Sequence, residues 1–186
     1  MWKLNNPQPV KLIVGILAAG RESETDTDCL KAALAAVEKT YGRIDMQSEV
    51  FPFTQTEYYK GQTGESIIRQ FATIEKLVDP GKLASFKHKS NRLEQKLAKD
   101  LSTGLYRPVN LDPGIIEPSK LILATTKNFA HRIYIGDKMY AEVTLSYHKG
   151  QWVSFDFTFP DYKQQCYHDF FSRVRERLVE QLRNRR

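Results

Sequence analysis

The feature that most constrains the fold is a run of regularly alternating residues in the C-terminal half of the chain. Along residues 139–148, apolar and polar side chains alternate, which is the two-residue period of a β-strand with one buried face. Gly136-Asp137 and Lys149-Gly150 supply turn residues on either side of this run. The pattern therefore predicts a meander of three antiparallel strands, at 131–135, 139–148 and 151–159.

The same alternation predicts which side chains share a face. On one face of the middle strand we expect Met139, Ala141, Val143, Leu145 and Tyr147. On its other face we expect Tyr140, Glu142, Thr144 and His148. The predicted apolar side of the last strand consists of Val153, Phe155, Phe157 and Phe159.

Before the meander, the sequence predicts strands interleaved with helices. The apolar run Lys11–Ala19 lies between prolines and a glycine, which is typical of a buried central strand. Helical spacing predicts one helix over about 30–42 and another that begins at Asp79-Pro80, a good N-cap followed by a residue suited to the first helical position. Residues 44–53 predict a strand near a sheet edge, because their proline cannot donate to a central ladder.

Two further segments decide the topology. Residues 65–78 fit the period of a helix and that of a strand equally well, and a strand there would give the β-α-β-β-α-β order of ferredoxin-like folds. Residues 106–111 predict a strand that ends at Asp112-Pro113-Gly114, since each of these residues favours a turn. The chain ends in an amphipathic helix with a predicted buried stripe of Tyr167, Phe170, Phe171, Val174, Leu178 and Leu182.

These elements predict a single α+β domain over residues 1–186, with an antiparallel or mixed sheet and helices packed mainly on one face. No apolar run approaches the roughly 20 residues that cross a bilayer, and the N-terminal residues lack the apolar core of a secretory signal. We therefore expect a cytoplasmic protein without membrane contact. Cys29 and Cys166 are far apart and isolated, so we expect them to pack in the core and not to form a disulfide or a zinc site.

Six strings of the chain resemble one protein family. They are FPFTQTEYY (51–59), LVDP (77–80), VNLDPG (109–114), LILATTKNFAHRIYIG (121–136), YAEVTLSY (140–147) and FPDY (159–162). Together they resemble the bacterial proteins grouped as domain of unknown function 4416, over nearly the whole chain. The resemblance implies no established activity, although some members are labelled GTP-binding proteins.

The residues do not predict a P-loop for GTP. Such a loop needs the pattern G-x-x-x-x-G-K-[ST], because its backbone amides and its lysine surround the phosphates. Gly15 and Gly20 have the right spacing, but Arg21-Glu22 replaces the Lys-Ser/Thr pair. Thr126-Lys127-Asn128 matches only part of a guanine-recognition motif, because the necessary aspartate is missing.

A different anion site is predicted between residues 125 and 132. This segment concentrates the polar residues Thr125, Thr126, Lys127, Asn128, His131 and Arg132. Arginine can bind a phosphate or carboxylate through two parallel hydrogen bonds, lysine supplies a mobile charge, and hydroxyls complete the shell. The structural alternative is that the charged groups are solvated, His131 is a satisfied structural imidazole and the threonines cap a turn.

Acidic residues predict a second part of this site. Asp112 and Asp161 lie in proline-containing motifs, and Glu142 lies on the polar face of its strand. With Asn110 and His131 these carboxylates would suit Mg²⁺ or another hard cation. The candidate acid–base residues are Asp112, His131 and Glu142, and the remaining predicted ligand contacts are Asn110, Thr144, Asp161 and Tyr162. The structural alternative is that the aspartates form turns and Glu142 pairs with Arg132 across the hairpin.

A separate polar and aromatic group follows the second predicted strand and consists of Thr54, Thr56, Tyr58, Tyr59, Glu65 and Arg69. Its tyrosines would stack on a base or close a pocket, or simply pack. Arg69 would pair with Glu65 if this segment is helical.

Three functional hypotheses follow. The first is a small enzyme or binding protein for a phosphate-bearing or nucleotide-like ligand, and the residues leave open which of the two it is. The second is an RNA-binding module, because the net charge of +6 arises largely from the C-terminal helix, although such a helix also serves simply as a solvated face. The third is a protein-interaction adaptor without a ligand.

Overall fold

The computed structural model of the protein describes residues 2–20, 28–54 and 60–185. The strands are β1 Lys11–Ala19, β2 Ile44–Gln47, β3 Phe51–Pro52, β4 Ile67–Ile74, β5 Val109–Glu117, β6 Lys120–Thr125, β7 Ile133–Gly136, β8 Met139–His148 and β9 Gln151–Ser154. The helices are α1 Asp28–Tyr41, α2 Lys60–Thr63, α3 Leu83–Asp100 and α4 Gln165–Arg183, and short 3₁₀ turns cover Pro80–Lys82 and Pro160–Lys163. Of the helices in these ranges, none combines the length and apolar character needed to cross a bilayer.

The strands form one antiparallel sheet, which confirms the predicted α+β class. Its order is β2-β4-β1-β5-β6-β8-β7, with β3 paired to β4 and β9 paired to β8. From β2 to β5 this is the order of a ferredoxin-like sheet, with α1 and α3 as its two helices. Residues 67–74 are therefore a strand, and every one of them is buried, which explains why the strand period did not stand out from the helical one there.

Helices cover both faces of the sheet. Alternate residues of β1 point to opposite sides, so Leu12 and Val14 pack with α1 and α3, whereas Ile13 packs with α4. The predicted stripe of α4 is buried from Tyr167 to Leu178. Cys29 lies in the core beside α3, but Cys166 is exposed, so the packing role expected for it is wrong.

The meander is confirmed in its first two strands and shortened in its third. β8 pairs with β6 along one edge, while β7 and β9 share its other edge. The sequence does not predict β6. The third strand ends at Ser154 because Phe155 N–H donates to Thr158 Oγ1 and Thr158 N–H donates to the Phe155 carbonyl, which turns the chain out of the sheet. The expected apolar side of that strand is therefore wrong, and its phenylalanines are partly exposed.

A register shift divides the faces of β8. Leu121 pairs with Leu145, whereas the next residue of β6 pairs with Val143, so Thr144 is an extra residue on β8. As a result, Ala141 packs on the α3 side and Leu145 on the α4 side, and the single apolar face expected for this strand is wrong.

The predicted turn at Asp112-Pro113-Gly114 is wrong, because these residues lie in the middle of β5. Asp112 pairs with Gly15 of β1, and Pro113 pairs with Val14. Pairing of β5 with β6, in contrast, begins only at Gly114 and continues to Glu117. Proline is tolerated in this strand because the edge to which its missing N–H would point is not paired there.

Replacing Gly114 by alanine should lower the free energy of unfolding by about 1–3 kcal/mol. A Cβ atom at this position would lie 2.6 Å from the Ile122 carbonyl oxygen and 2.7 Å from Leu123 Cδ2, so β5 and β6 would have to move apart. Urea denaturation measures the change. The matched control is Gly61→Ala, where no described atom lies within 4 Å of the new Cβ. Equal stability of the two variants would contradict this account of Gly114.

Candidate ligand-binding site

A cavity of about 470 Å³ lies where β5 and β6 separate. The backbone groups of alternate residues in an antiparallel strand point to the same edge. Those of Leu111 and Pro113 therefore both point toward the gap between β5 and β6. Pro113 has no N–H to donate. Leu111 donates its N–H to Glu94 Oε1 at 2.9 Å and accepts at its carbonyl from Lys87 Nζ at 2.9 Å. Side chains of α3 thus replace β6 as the partners of β5, which leaves room for the cavity.

The cavity has a strongly polar lining with an apolar rim. Its charged side chains are five basic ones, Arg69, Lys87, Arg107, Lys127 and Arg132, and three acidic ones, Asp112, Glu142 and Asp161. Its other lining residues are Phe53, Asn110, Leu123, Ala124, Thr125, Thr126, Phe159, Pro160 and Tyr162.

Nine of the twelve predicted site residues line this one cavity. They are Asn110, Asp112, Thr125, Thr126, Lys127, Arg132, Glu142, Asp161 and Tyr162. Two others stand behind Glu142: His131 Nε2 lies 3.3 Å from its carboxylate, and Thr144 Oγ1 donates to it at 3.2 Å. Asn128 is exposed and does not line the cavity. The sequence therefore grouped residues that do meet in space, and their roles remain predictions.

Arg69 forms the floor of the cavity. Its side chain is only 4% exposed, and its guanidinium lies 5.3–5.6 Å from the ring centres of Phe53, Phe71 and Tyr162. Nη2 donates to Asp161 Oδ2 at 3.0 Å. Nε, Nη1 and the Tyr162 hydroxyl have no hydrogen-bond partner among the described residues. Buried donors of this kind are normally satisfied, so these three atoms are an unusual feature of the floor, although none of them is exposed to the cavity.

The position of Arg69 in this cavity was not predicted from the sequence. We expected a pair with Glu65 if the segment was helical, but β4 is a strand and Arg69 points into the cavity, with Asp161 as its partner. Of the residues grouped with it, Thr56, Tyr58 and Tyr59 lie outside the described ranges. Lys87, Arg107, Phe53 and Phe159 also line the cavity without having been predicted, because only the tertiary fold brings them there.

Two aspartates on either side of Arg69 have different electrostatic surroundings. Burial raises the pKa of Asp161, and the adjacent Arg69 offsets this effect only in part. Burial would also raise the pKa of Asp112, but Lys87, Arg69 and Arg107 together outweigh it and lower that pKa. Burial raises the pKa of Tyr162 well above its ordinary value. The floor therefore offers Asp112 as an anionic acceptor beside Tyr162 as a neutral phenol.

Arg132 holds the mouth of the cavity in shape. Its Nε donates to Glu142 Oε2 at 2.8 Å, so the pair across the hairpin that was the structural alternative for Glu142 is present. Its Nη1 donates to the Lys127 carbonyl at 3.0 Å, and Lys127 N–H donates to Thr125 Oγ1 at 3.2 Å. These bonds fix the segment 125–132 as a compact loop over the cavity.

The carboxylates do not assemble into a metal site. Asp112 and Asp161 adjoin Arg69, whereas Glu142 adjoins Arg132. Within residues 2–20, 28–54 and 60–185, no group of three or more His, Cys, Asp or Glu side chains is placed to hold a metal ion. The hypothesis of a protein-bound Mg²⁺ ion therefore gains no support from these residues.

Comparison with known proteins agrees with the resemblance noted in the sequence. The family model described as "Domain of unknown function (DUF4416)" matches residues 8–178, a range that includes every strand and every residue lining the cavity. No curated protein and no solved structure gave a match. Because the matched range covers most of the 186 residues, the chain belongs to the DUF4416 family.

Proposed function

We propose that the protein is a cytoplasmic binding protein or small enzyme for a phosphate-bearing or nucleotide-like ligand. The observation that carries the proposal is the convergence of five basic side chains on one cavity of about 470 Å³. This volume lies within the usual range of small-molecule sites, roughly 300–1,000 Å³. Three acidic side chains share the lining and a fourth carboxylate, that of Glu94, pairs with Arg107, so the cavity keeps a small excess of positive charge that favours an anion.

A phosphate would bind at the mouth of the cavity. This cationic mouth consists of Lys127 and Arg132 together with the hydroxyl-bearing Thr125 and Thr126, all of which line the cavity. Charge-assisted hydrogen bonds from such groups are stronger than neutral ones. Arg132 is already oriented by Glu142 and by the Lys127 carbonyl, so little ordering would accompany binding.

The floor is suited to the rest of the ligand. Asp112 is 26% exposed and can accept a hydrogen bond from a ligand hydroxyl or amine. Tyr162 also lines the cavity, although its hydroxyl oxygen is buried and has no partner among the described residues. The lowered pKa of Asp112 and the raised pKa of Tyr162 both lie away from neutral pH, so these two groups favour the binding form of the proposal over acid–base catalysis.

The arrangement of α4 speaks against the RNA hypothesis. The helix begins directly after the cavity-lining Tyr162 and runs away from it for 19 residues, about 28 Å. Arg175 donates to the carbonyl of Pro118, at the opposite end of β6 from the cavity, and Arg177 pairs with Glu180. These two arginines of α4 therefore do not extend the basic lining of the cavity. The third hypothesis, a protein-interaction adaptor without a ligand, does not account for the cavity.

Phosphate-bearing compounds should raise the melting temperature of the protein, because a ligand of the native state stabilises it. Differential scanning fluorimetry with inorganic phosphate, sugar phosphates and mononucleotides, each with and without Mg²⁺, measures the shift. Lys127→Ala should weaken binding about ten-fold through the loss of one charge-assisted contact.

The matched control for that variant is Lys76→Ala. Lys76 is also exposed but follows the end of β4 farthest from the cavity, so its loss should leave binding unchanged. The proposal fails if none of these compounds shifts the melting temperature, or if both lysine variants bind as the wild type does.

A further inference from the structure

A group of partly exposed aromatic side chains borders the cavity. This aromatic rim consists of Phe129, His131, Phe155, Phe157 and Phe159. Phe129 is 66% exposed, Phe157 41% and Phe159 38%. His131 stacks on Phe157 with ring centres 4.2 Å apart and planes 8° apart, and Phe157 stacks on Phe155 at 5.1 Å and 6°. Parallel aromatic rings thus stand at the surface instead of in the core.

The rim is continuous with the cavity wall. Phe159 lines the cavity itself, and the Arg132 guanidinium lies 6.0 Å from its ring centre. His131 contacts Glu142, which also lines the cavity. Phe129 and His131 come from the segment that ends at Arg132 of the mouth, and the other three rings come from the segment that leads into Asp161, which also lines the cavity. A ligand anchored at the mouth would therefore reach the rim.

The exposure of these rings is imposed by ordered structure. Thr158 is buried and donates through Oγ1 to the Thr144 carbonyl at 2.7 Å, while the same oxygen accepts from Phe155 N–H at 2.8 Å. These bonds hold Phe157 and Phe159 outward on either side of the buried threonine. Large apolar groups held together at the surface usually mark a binding site.

We infer that the ligand is a nucleotide whose base stacks against the aromatic rim while its phosphate occupies the cationic mouth. This inference rests on the proposed function and narrows it, because a sugar phosphate has no planar ring to place on the rim. Every base has a flat π-face that stacks on aromatic side chains. The adjoining Arg132 adds a cation to the same surface, as Arg does at many base-binding sites.

Isothermal titration calorimetry of the full chain with adenosine 5′-monophosphate, ribose 5-phosphate, adenosine and inorganic phosphate tests the inference. The nucleotide should bind about ten-fold more tightly than ribose 5-phosphate. Phe159→Ala should remove that advantage and leave the affinity for ribose 5-phosphate within two-fold of wild type, whereas Phe159→Tyr should preserve it. Trp2→Ala, which removes a 99% exposed ring outside the rim, is the control and should change neither affinity.

The outcomes separate the inference from the proposed function. Equal affinities for the nucleotide and ribose 5-phosphate, unaffected by Phe159→Ala, would overturn the inference and leave the phosphate site standing. Adenosine binding as tightly as its monophosphate would overturn both, since the cationic mouth would then contribute nothing. The absence of binding by all four compounds would also overturn both.

Discussion

Replacing Arg69 by methionine should lower the free energy of unfolding by about 3–5 kcal/mol, because it leaves a buried carboxylate without its cation. The side chains of Arg69 and Asp161 are 4% and 6% exposed and form a 3.0 Å hydrogen bond. Without Arg69, water cannot readily replace the lost partner of Asp161. Urea denaturation with circular dichroism measures the loss.

The double variant Arg69→Met/Asp161→Asn separates the ion pair from simple packing. It removes both charges, so it should be clearly more stable than Arg69→Met alone. If the losses of stability in Arg69→Met and in Asp161→Asn simply added up to the loss in the double variant, the two residues would not be coupled. Arg69→Lys should restore only part of the stability, because an ammonium lacks the planar face that lies among the three rings.

Glu142→Leu should lower the free energy of unfolding by about 3 kcal/mol. The Glu142 side chain is 1% exposed and accepts from Arg132 and Thr144, so its removal leaves a largely buried guanidinium without its carboxylate. Binding of any phosphate ligand should weaken in parallel, because Arg132 also holds the Lys127 carbonyl. Denaturation and calorimetry on the same preparation measure the two effects.

Two further variants control for this prediction. Glu49→Leu removes an exposed carboxylate and should change stability by less than about 0.5 kcal/mol. Arg132→Leu/Glu142→Leu should recover much of the lost stability but none of the binding. Recovery of binding in that double variant would exclude Arg132 from the site.

Local patterns were sufficient to predict the position of several elements. The extent of β8, the Asp79 cap of the 3₁₀ turn that leads into α3 and the stripe of α4 are properties of consecutive residues, so no tertiary information was needed. β4 was ambiguous because both of its faces are buried. Phe157 and Phe159 were assigned to an inward face because alternation cannot reveal that Thr158 bonds to Thr144 and ends the strand.

Asp112-Pro113-Gly114 shows the limit of turn propensities. Each residue favours a turn locally, yet β5 continues through all three because β1 pairs along one edge and α3 supplies Lys87 and Glu94 to the other. The two bonds from α3 join residues 17 and 24 positions apart, and a single sequence does not specify them.

The candidate site was predicted where its residues are close in sequence. Residues 125–132 stood out by composition, and four of their six polar residues line the cavity. Arg69 was grouped only with residues close to it in sequence, because its partner Asp161 is 92 positions away and gives no local signal. The cavity lining therefore extends well beyond the segment that composition identified.

The short ladder between β5 and β6 has a consequence for cooperativity. Only four residue pairs join the ferredoxin-like part of the sheet to the part formed by β6 to β9, and the cavity occupies the place where the ladder would continue. A molecule bound there would contact both parts of the sheet at once. Occupancy would then slow amide hydrogen exchange in both parts together, since they could not separate at the cavity without releasing the molecule.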